Sequence, residues 1–249
     1  MRAQECLAYY QALSRSEFTV VDLETTGCRH PHDRVIEVAI LQGSLTRGIL
    51  HQESHLINPG IPIPHKIQKF TGITTAMVKD APKPLSVWTQ CLPLLSQGTL
   101  TAHNLSFDYG FLQKEYQRLG VKFSRPPQQQ LCTVKLSRLL LADLPSRSLP
   151  MLVKHFQFPI ETAHRAAPDT LACWLLLEKL FDRLLHQPDQ ALELFARQWI
   201  TAEEVAQILD ITPGEVGTYL KGSPIKQRHS RSRKAIVYLR GDVEALHPG

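Results

Sequence analysis

The stretch FTVVDLETTG, residues 18–27, is a short β-rich segment that stops at a Thr-Thr-Gly turn. Its apolar and β-branched residues predict a buried strand that ends in a turn. Because side chains alternate along a strand with a period of two, Asp22 and Glu24 share one face near the strand's carboxyl end. Two like charges in an apolar setting are unfavourable unless a cation compensates them. The alternative is a solvated strand end, since two acids at this spacing recur often by chance.

The segments on either side of this strand predict an α/β fold. Residues 34–41 and 49–57 predict two more strands, and the short connections among the three indicate an antiparallel meander. Strand-like residues 99–102 are followed by a helical pattern from about Ser106, a candidate N-cap, to Leu119. Further helical patterns begin near residue 66 and cover residues 85–95, 133–141, 149–156 and 168–185. We therefore expect a mixed sheet flanked by helices, which ends near residue 186.

Composition narrows the classes of protein to which the chain can belong. Its 249 residues, 43% hydrophobic and 20% charged, allow one large domain, or one domain with a small appendage. This composition excludes collagen-like, disordered and disulfide-scaffold proteins. The five cysteines are scattered and include no CxxC pair, which argues against a thiolate zinc site and indicates reduced thiols. Residues 1–11 show no signal-peptide pattern, and charges interrupt the apolar run 171–185. We therefore expect a soluble, cytoplasmic protein without a membrane partner.

A second, smaller domain is predicted at the C-terminal end. Thr201 and Glu204 form a capping-box signature before a helical pattern, and Thr212 and Glu215 form another, with proline at the first helical position. Two short helices of this kind outline a helix-turn-helix. Residues 221–240, the basic segment, then hold seven Lys or Arg residues and no acid, although the whole chain has a net charge of only +5. The expected domains are residues 1–187, with a core at 16–186, a connecting helix at 188–197 and the helix-turn-helix domain at 198–249.

Two further segments place candidate catalytic residues at the ends of predicted elements. Asp108 lies in the first turn of the helix after strand 99–102, and Asp169 opens the last helix of the first domain, five residues after His164. Each is unremarkable alone, because an acid in a first helical turn complements the helix dipole. Together with Asp22 and Glu24 they offer four hard oxygen ligands, which select Mg²⁺ or Mn²⁺ over zinc. Two such ions can hold the attacking and leaving oxygens of a phosphodiester, and a histidine can deprotonate the attacking water.

Three motifs in this order closely resemble those of the DEDDh exonucleases, a family that includes the proofreading subunit of bacterial DNA polymerase III. They are DLETTG at residues 22–27, AHNxxFDxxFL at residues 102–112 and HxxxxD at residues 164–169. Segments 69–74, 80–82 and 131–133 also resemble the spacer segments of the family. The resemblance covers about residues 18–185. It implies a ribonuclease-H-like fold and hydrolysis of nucleotides from a 3′ end with release of 5′-monophosphates.

The resemblance also implies a role for each matched acid and for the histidine. Asp22 is expected to bridge two Mg²⁺ or Mn²⁺ ions. Glu24 and Asp169 are expected to hold the ion that binds the attacking water, and Asp108 to support the second ion. His164 is expected to act as general base, because the position at which the sister subclass has a tyrosine is an arginine in this sequence.

Substrate contacts are expected, by the same resemblance, from Thr25, Thr26, Phe70, His103 and Asn104. Phe70 is either a wedge that stacks against the terminal base or a core aromatic in its helix, and the sequence leaves both open. Phe107 and Phe111 are expected in the core, because they lie at helical spacing on the face that meets the sheet.

Residues 198–248 resemble the small helix-turn-helix modules of excisionases and MerR-type regulators. In such a winged module the second helix can enter a major groove while a basic loop contacts phosphates. The loop residues expected to do so here are Lys226, Arg228, Arg231, Arg233 and Lys234. The second helix has no Arg, Asn or Gln, so we favour binding of the nucleic-acid backbone, or of a protein, over reading of a specific base sequence. The alternative is a solvated, partly disordered basic loop.

Three functional hypotheses follow from the sequence. The first is a metal-dependent 3′→5′ exonuclease on single-stranded or frayed DNA ends, tethered by its C-terminal domain to the substrate or to a replication or repair protein. The second keeps this chemistry but acts on RNA or short oligonucleotides. The third is an inactive nuclease domain kept as a DNA-binding platform, which predicts a lost ligand or base. All five catalytic positions carry the expected residue type, which argues against the third hypothesis. No residue is identified that would read a 2′-hydroxyl, so the sequence leaves the first two open, with the first as the main expectation.

Overall fold

The computed structural model of the chain describes residues 1–160, 164–230 and 235–246. Its contacts divide the chain into two units. The large unit is Ser14–Leu180, and the terminal unit combines Met1–Leu13 with Phe181–Gly249. The domain boundaries expected from the sequence, with a division after residue 187, stay a prediction. None of the helices in the described ranges is long and apolar enough to cross a membrane.

The large unit is built on a five-stranded mixed sheet. Its strands are β1 (Glu17–Thr25), β2 (Val35–Ser44), β3 (Gly48–Leu56), β4 (Thr99–Ala102) and β5 (Gln130–Cys132). The strand order is β3-β2-β1-β4-β5. The first three strands pair antiparallel, as the meander prediction expected, and β4 and β5 continue the sheet in parallel.

Helices connect and flank these strands. In chain order they are α1 (Ala3–Leu13), α2 (His65–Thr71), α3 (Thr75–Lys79), α4 (Pro84–Leu95), α5 (Leu105–Arg118), α6 (Thr133–Leu140), α7 (Leu149–Phe156) and α8 (Ala166–His186). The prediction of a mixed sheet flanked by helices is therefore confirmed. The sequence patterns did not predict α1, the five-residue helix α3, or β5.

The two faces of β1 explain how one short strand supports both a core and a polar site. Val21 and Leu23 point to one face and join Trp88 of α4 and Phe111 of α5 in a buried cluster. On the other face, Phe18 is fully buried, and its ring lies 6.5 Å from that of Trp174 in α8. Phe18, Asp22 and Glu24 share this face because side chains alternate along β1. The start of the face is therefore buried, and its two acids lie near the carboxyl end of the strand, beside the first turn of α8.

The predicted N-cap of α5 is wrong by two residues. Asn104, not Ser106, occupies the N-cap position, with a left-handed φ of 77°. The Ser106 hydroxyl donates to Asn104 Oδ1 at 3.3 Å, so its side chain does not cap the helix. The strand-to-helix turn is tighter than the sequence suggested, because asparagine tolerates the left-handed conformation.

Among the described residues, the terminal unit holds a three-stranded sheet, five whole helices including α1, and the end of α8. After α8 come α9 (Pro188–Ala196), β6 (Trp199–Ile200), α10 (Ala202–Leu209), α11 (Val216–Tyr219), β7 (Gln227–Ser230), β8 (Ala235–Leu239) and α12 (Arg240–Leu246). The sheet order is β6-β8-β7, with antiparallel pairs. Its apolar cluster includes Val205, Leu209, Val216 and Val243.

The two capping boxes predicted in this unit have different outcomes. Thr201 accepts the Glu204 N–H at 3.4 Å, and Glu204 accepts the Thr201 N–H at 2.9 Å, so the first is confirmed. At the second, the Thr212 hydroxyl donates to Glu215 Oε2 at 2.7 Å and does not accept the N–H at the helix start. Residues 213–215 therefore form a turn, and α11 begins at Val216 instead of Pro213.

Helix α1 packs within the terminal unit. The Tyr10 ring stacks on that of Phe195 with centroids 5.8 Å apart, and the Ala3 N–H donates to Glu244 Oε1 at 2.7 Å. These partners lie far along the chain, which is why local sequence patterns did not indicate a packed helix here.

Candidate active site

Strand β1 delivers the first two acids to one face of the sheet. Asp22 pairs with Ala39 of β2, and Glu24 pairs with Glu37, so their side chains share a face as predicted. The register shifts by one residue between Glu24 and Thr25, and Thr25, the last residue of β1, pairs with Val35. Both carboxylates thus lie near the end of β1, where residues of α5 and α8 approach them.

Helices α5 and α8 supply the other two acids, each from a first helical turn. Asp108 is buried, and its carboxylate accepts hydrogen bonds from the N–H groups of Leu23 and of its own residue. Asp169 approaches β1 from α8, and carboxylate oxygens of Asp22, Glu24 and Asp169 lie within 4.8 Å of one another. The four residues Asp22, Glu24, Asp108 and Asp169 are called the carboxylate site below.

The electrostatics of the carboxylate site disfavour four bare negative charges. Burial raises the pKa of Asp22 well above its usual range, and the charges of Asp108, Asp169 and Glu24 raise it further. Burial and the neighbouring acids raise the pKa of Glu24 to about 8. Burial also raises the pKa of Asp108 and of Asp169, although backbone N–H groups oppose both shifts. A cluster of hard oxygen donors with this repulsion fits a divalent cation such as Mg²⁺ or Mn²⁺.

His164 lies directly beside this cluster. Its backbone N–H donates to Asp169 Oδ2 at 3.2 Å, and its φ is 62°, a left-handed value that is uncommon outside glycine. The contact ties the histidine to the first turn of α8 and places it next to a carboxylate of the site. Residues 161–163, which precede it, lie outside the described residues.

Phe70 is on the surface, and the core alternative for it is wrong. Its side chain is 57% exposed, and its ring centroid lies 4.1 Å from that of His164, with the planes tilted by 38°. Phe111, in contrast, is fully buried and Phe107 is half-buried against the same cluster, as predicted. An exposed aromatic ring beside His164, the candidate general base, is placed where the nucleobase of a terminal nucleotide could stack.

Glu37 and Arg165 form an ion pair that the sequence analysis did not identify. Glu37 is buried on β2, and Arg165 contacts it with two nitrogens, Nε to Oε2 at 3.0 Å and Nη2 to Oε1 at 2.6 Å. Glu37 Oε2 also accepts the Ala166 N–H at 2.9 Å. The pair therefore anchors the residues on the C-terminal side of His164 to the sheet. A single charge within the apolar strand residues 35–41 was the available signal.

Thr25 and Thr26 have intramolecular partners in the turn after β1. The Thr25 hydroxyl donates to Gly27 O at 2.6 Å, and Thr25 is buried. Thr26 Oγ1 accepts the Arg34 N–H at 3.0 Å and lies 3.3 Å from Asp33 Oδ1. Their side chains stabilise the turn, which leaves main-chain groups as the better candidates for contact with a substrate hydroxyl.

His103 and Asn104 differ in their availability to a substrate. Both ring nitrogens of His103 have protein partners, Thr133 Oγ1 and Arg147 O, each at 2.9 Å. Burial lowers the pKa of His103 to about 4, so the ring is neutral near pH 7. Asn104 is exposed and, with Arg138, lines a 630 Å³ cavity. The histidine thus fixes the end of β4, whereas the exposed Asn104 side chain, whose Oδ1 accepts the Ser106 hydroxyl, is accessible to a ligand.

The basic segment of the terminal unit is described only in part. Lys226 and Arg228 are exposed, and the Arg228 guanidinium lies 4.2 Å from the centroid of the Trp199 ring. This distance is typical of a cation–π contact. The other three expected nucleic-acid contacts, Arg231, Arg233 and Lys234, lie outside the described residues.

Comparison with known proteins agrees with this geometry. Residues 19–177 match the Exonuclease family. A PolC-type DNA polymerase III of Clostridium perfringens is 32% identical over 174 residues, which are 70% of this chain and 12% of that protein. The 3′-5′ exonuclease DinG of Staphylococcus haemolyticus is 28% identical over 183 residues, which are 73% of this chain and 20% of that protein. The chain thus spans a small part of the length of these relatives.

A solved structure shows a similar fold. Exonuclease X, in complex with 5′ overhanging duplex DNA, aligns with a TM-score of 0.54 and 25% sequence identity. The alignment covers 71% of this chain and 98% of that one. The mixed sheet and its helices therefore match an exonuclease fold.

Proposed function

The chain belongs to the Exonuclease family, and from that premise we propose that it is a metal-dependent 3′→5′ exonuclease acting on DNA and releasing 5′-monophosphates. The single observation that carries the proposal is the carboxylate site. Oxygens of Asp22, Glu24 and Asp169 converge within 4.8 Å, and His164 is tied to Asp169 at their edge. Relatives named as a DNA polymerase and as a 3′-5′ exonuclease support the choice of polymer and of direction.

The residues present fit a pair of divalent ions. Asp22, Glu24 and Asp169 would hold one ion, and Asp22 and Asp108 would hold the other. When bound, Mg²⁺ or Mn²⁺ supplies positive charge that makes a water more acidic and stabilises the oxyanions of phosphodiester cleavage. Burial and mutual repulsion of the four carboxylates favour this occupancy, because each cation relieves several unfavourable charge contacts.

His164 is the proposed general base. A neutral imidazole nitrogen carries a lone pair, so the ring can take the proton of the attacking water and release it to solvent. The bond from the His164 N–H to Asp169 fixes the backbone that carries the ring, and the pair of Glu37 and Arg165 fixes the residues that follow. The chain therefore orients its base through main-chain contacts as well as through side-chain packing.

Phe70 and Asn104 are the proposed substrate contacts with exposed side chains. An exposed phenyl ring next to His164 can stack on the terminal base regardless of its identity, as a nuclease without sequence preference requires. Asn104 offers an amide that lines the 630 Å³ cavity. The main chain around Thr25 is proposed to receive the 3′-hydroxyl of the terminal nucleotide, and His103 is proposed to act by holding the end of β4.

The terminal unit is proposed to bind the nucleic-acid backbone as a winged helix-turn-helix module. Helices α10 and α11, followed by the antiparallel pair β7 and β8, support this interpretation. Exposed Lys226 and Arg228 are proposed to contact phosphates, as are Arg231, Arg233 and Lys234. A replication or repair protein is the competing partner for this surface.

An end-labelling experiment tests the proposal. Single-stranded DNA and RNA, labelled at the 3′ or at the 5′ end, are incubated with the protein and Mg²⁺ or Mn²⁺, with EDTA and the Asp22→Ala variant as controls. We expect stepwise shortening of DNA from the 3′ end that both controls abolish. If RNA were degraded faster than DNA, RNA would be the substrate in place of DNA. Absence of degradation with every metal would leave the inactive binding platform as the function.

A further inference from the structure

A second cluster of potential metal ligands lies on the opposite face of the sheet from the carboxylate site. On β3, Glu53 pairs with Ile40 of β2, which in turn pairs with Val21 of β1. Paired residues of antiparallel strands share a face, so Glu53 lies on the face of Val21 and not on that of Asp22. His51 and His55 are two residues before and after Glu53 and therefore share its face.

Glu53 is the centre of this cluster. One carboxylate oxygen, Oε2, lies 3.0 Å from His51 Nε2, and the other, Oε1, lies 3.2 Å from His55 Nε2. Helix α4 packs on this face and brings the Cys91 sulfur to 4.0 Å from Glu53 Oε1. Ligand atoms of Glu53, His55 and Cys91 all lie within 4.8 Å of one another. A nitrogen, an oxygen and a sulfur from two packed elements thus point to one place.

The exposure of these groups allows an ion to enter from one side. The side chains of Glu53 and His55 are 19% and 23% exposed, and that of His51 is 44% exposed. Cys91 is fully buried beneath them. Burial and the adjacent Glu53 charge raise the pKa of the Cys91 thiol to about 12, so without a cation it is a neutral donor to the carboxylate.

We propose that Glu53, His55 and Cys91 bind Zn²⁺, with His51 available as a fourth ligand. Zinc accepts mixed sulfur, nitrogen and oxygen ligands in a tetrahedral arrangement, whereas Mg²⁺ keeps to oxygen. On binding, the thiol gives its proton to solvent and coordinates as the thiolate. The ion would join the edge strand β3 to α4. Because it lies on the other face of the sheet, its binding is independent of the proposed nuclease activity.

Cobalt is a suitable probe, because a bond between Co²⁺ and a thiolate gives a charge-transfer absorption band that oxygen ligands do not give. The full chain carrying Asp22→Ala, which impairs the carboxylate site, is freed of metal and titrated with Co²⁺. We expect the band to appear with one equivalent and to disappear when Zn²⁺ is added. Adding Cys91→Ser should abolish the band, and adding Cys173→Ser or Cys28→Ser should leave it unchanged.

Surface substitutions keep the proposal testable if Cys91→Ser fails to fold. The double variant His51→Gln and His55→Gln leaves the core intact and should weaken Zn²⁺ binding by at least roughly 10- to 100-fold, the loss that even outer-shell partners produce. His32→Gln, an exposed histidine elsewhere in the large unit, is the matched control and should bind as the parent does. A parent protein with no cobalt–thiolate band, or a band that survives Cys91→Ser, would overturn the assignment. Unchanged Zn²⁺ affinity in the double variant would overturn it as well.

Discussion

The carboxylate site and the basic segment hold their charges in opposite ways. The four acids of the large unit come from β1, α5 and α8 and are wholly or partly buried together. The basic residues of the terminal unit follow one another within residues 221–240, and Lys226 and Arg228 are exposed. In the carboxylate site each acid occupies its own position, and no other residue can substitute for it. In the basic segment, the sum of the charges matters more than any single position.

The two regions should therefore differ in how strongly a single substitution affects activity or binding. Buried like charges interact strongly with one another and with a bound cation, because water screens them poorly. Exposed basic residues are screened by salt and contribute to binding in small, similar increments. We therefore expect abrupt losses from single changes in the large unit and graded losses in the terminal unit.

The largest effect is expected from Asp22→Ala. An oxygen of this carboxylate lies within 4.8 Å of oxygens of Glu24 and Asp169, and Asp22 is proposed to contact both ions. Its removal should therefore lower the rate by more than the roughly 10³-fold that one electrostatic contact contributes. The rate of 3′-nucleotide release in Mg²⁺ measures it, with exposed Asp143→Ala as the control. Turnover near that of the parent protein would contradict the metal assignment.

His164→Ala should have the next largest effect. Loss of a general base lowers the rate by on the order of 10²- to 10⁴-fold. The four carboxylates remain, so Mn²⁺ affinity, measured by calorimetry, should stay close to that of the parent. If Mn²⁺ binding were lost together with the rate, His164 would be a ligand or a structural residue instead of the base.

Glu37→Gln should have a moderate effect that distinguishes positioning from stability. The substitution weakens the ion pair that anchors Arg165 and should lower kcat by roughly 10-fold, a small fraction of the effect of losing the base, while KM changes little. Glu115→Gln is the matched control, because Glu115 is equally buried and pairs with Arg34 and Arg118.

Both variants replace a buried carboxylate that is paired with arginine, and both should lose stability in thermal unfolding. Only Glu37→Gln should lower kcat, and Glu37→Asp should restore part of it. Equal kcat values for the Gln variants of Glu37 and Glu115 would show that Glu37 contributes stability alone.

The smallest effect is expected from the terminal unit. Lys226→Ala with Arg228→Ala should reduce the slope of log affinity against log salt by about 2, since each phosphate contact contributes about 0.9. The value of kcat at saturating substrate should not change. Arg197→Ala, a 74% exposed cation outside the basic segment, is the control. A large loss of kcat in the double variant would contradict the proposal that the basic segment contributes to binding and not to the rate.

The sequence predicted the parts of the molecule that depend on local patterns. Alternation along β1 was enough to place Asp22 and Glu24 on one face, and Phe111 was correctly assigned to the core. The meeting of Asp169 with β1 could not come from local patterns, because it depends on how α8 packs. For that step the order of the three motifs was needed.

The remaining features depend on contacts between distant residues. The pair of Glu37 and Arg165 joins residues 128 positions apart, and only the lone charge in an apolar strand hinted at it. Cys91 meets Glu53 because α4 packs on the sheet, although the scattered cysteines alone argued against a zinc site. The exposure of Phe70 likewise followed from tertiary structure, since either environment suited its helix.

Helix α1 has a consequence for the order in which the chain folds during synthesis. Its Ala3 N–H bonds to Glu244, 241 residues later, and Tyr10 stacks on Phe195. An isolated helix of 11 residues is marginally stable in water, so α1 is synthesised before its partners and becomes stable only after they have been made. At about 5 to 20 residues per second, the ribosome needs on the order of ten to fifty seconds to deliver its partners. The large unit, made in between, can fold during that interval while the apolar side of α1 is still a target for chaperones.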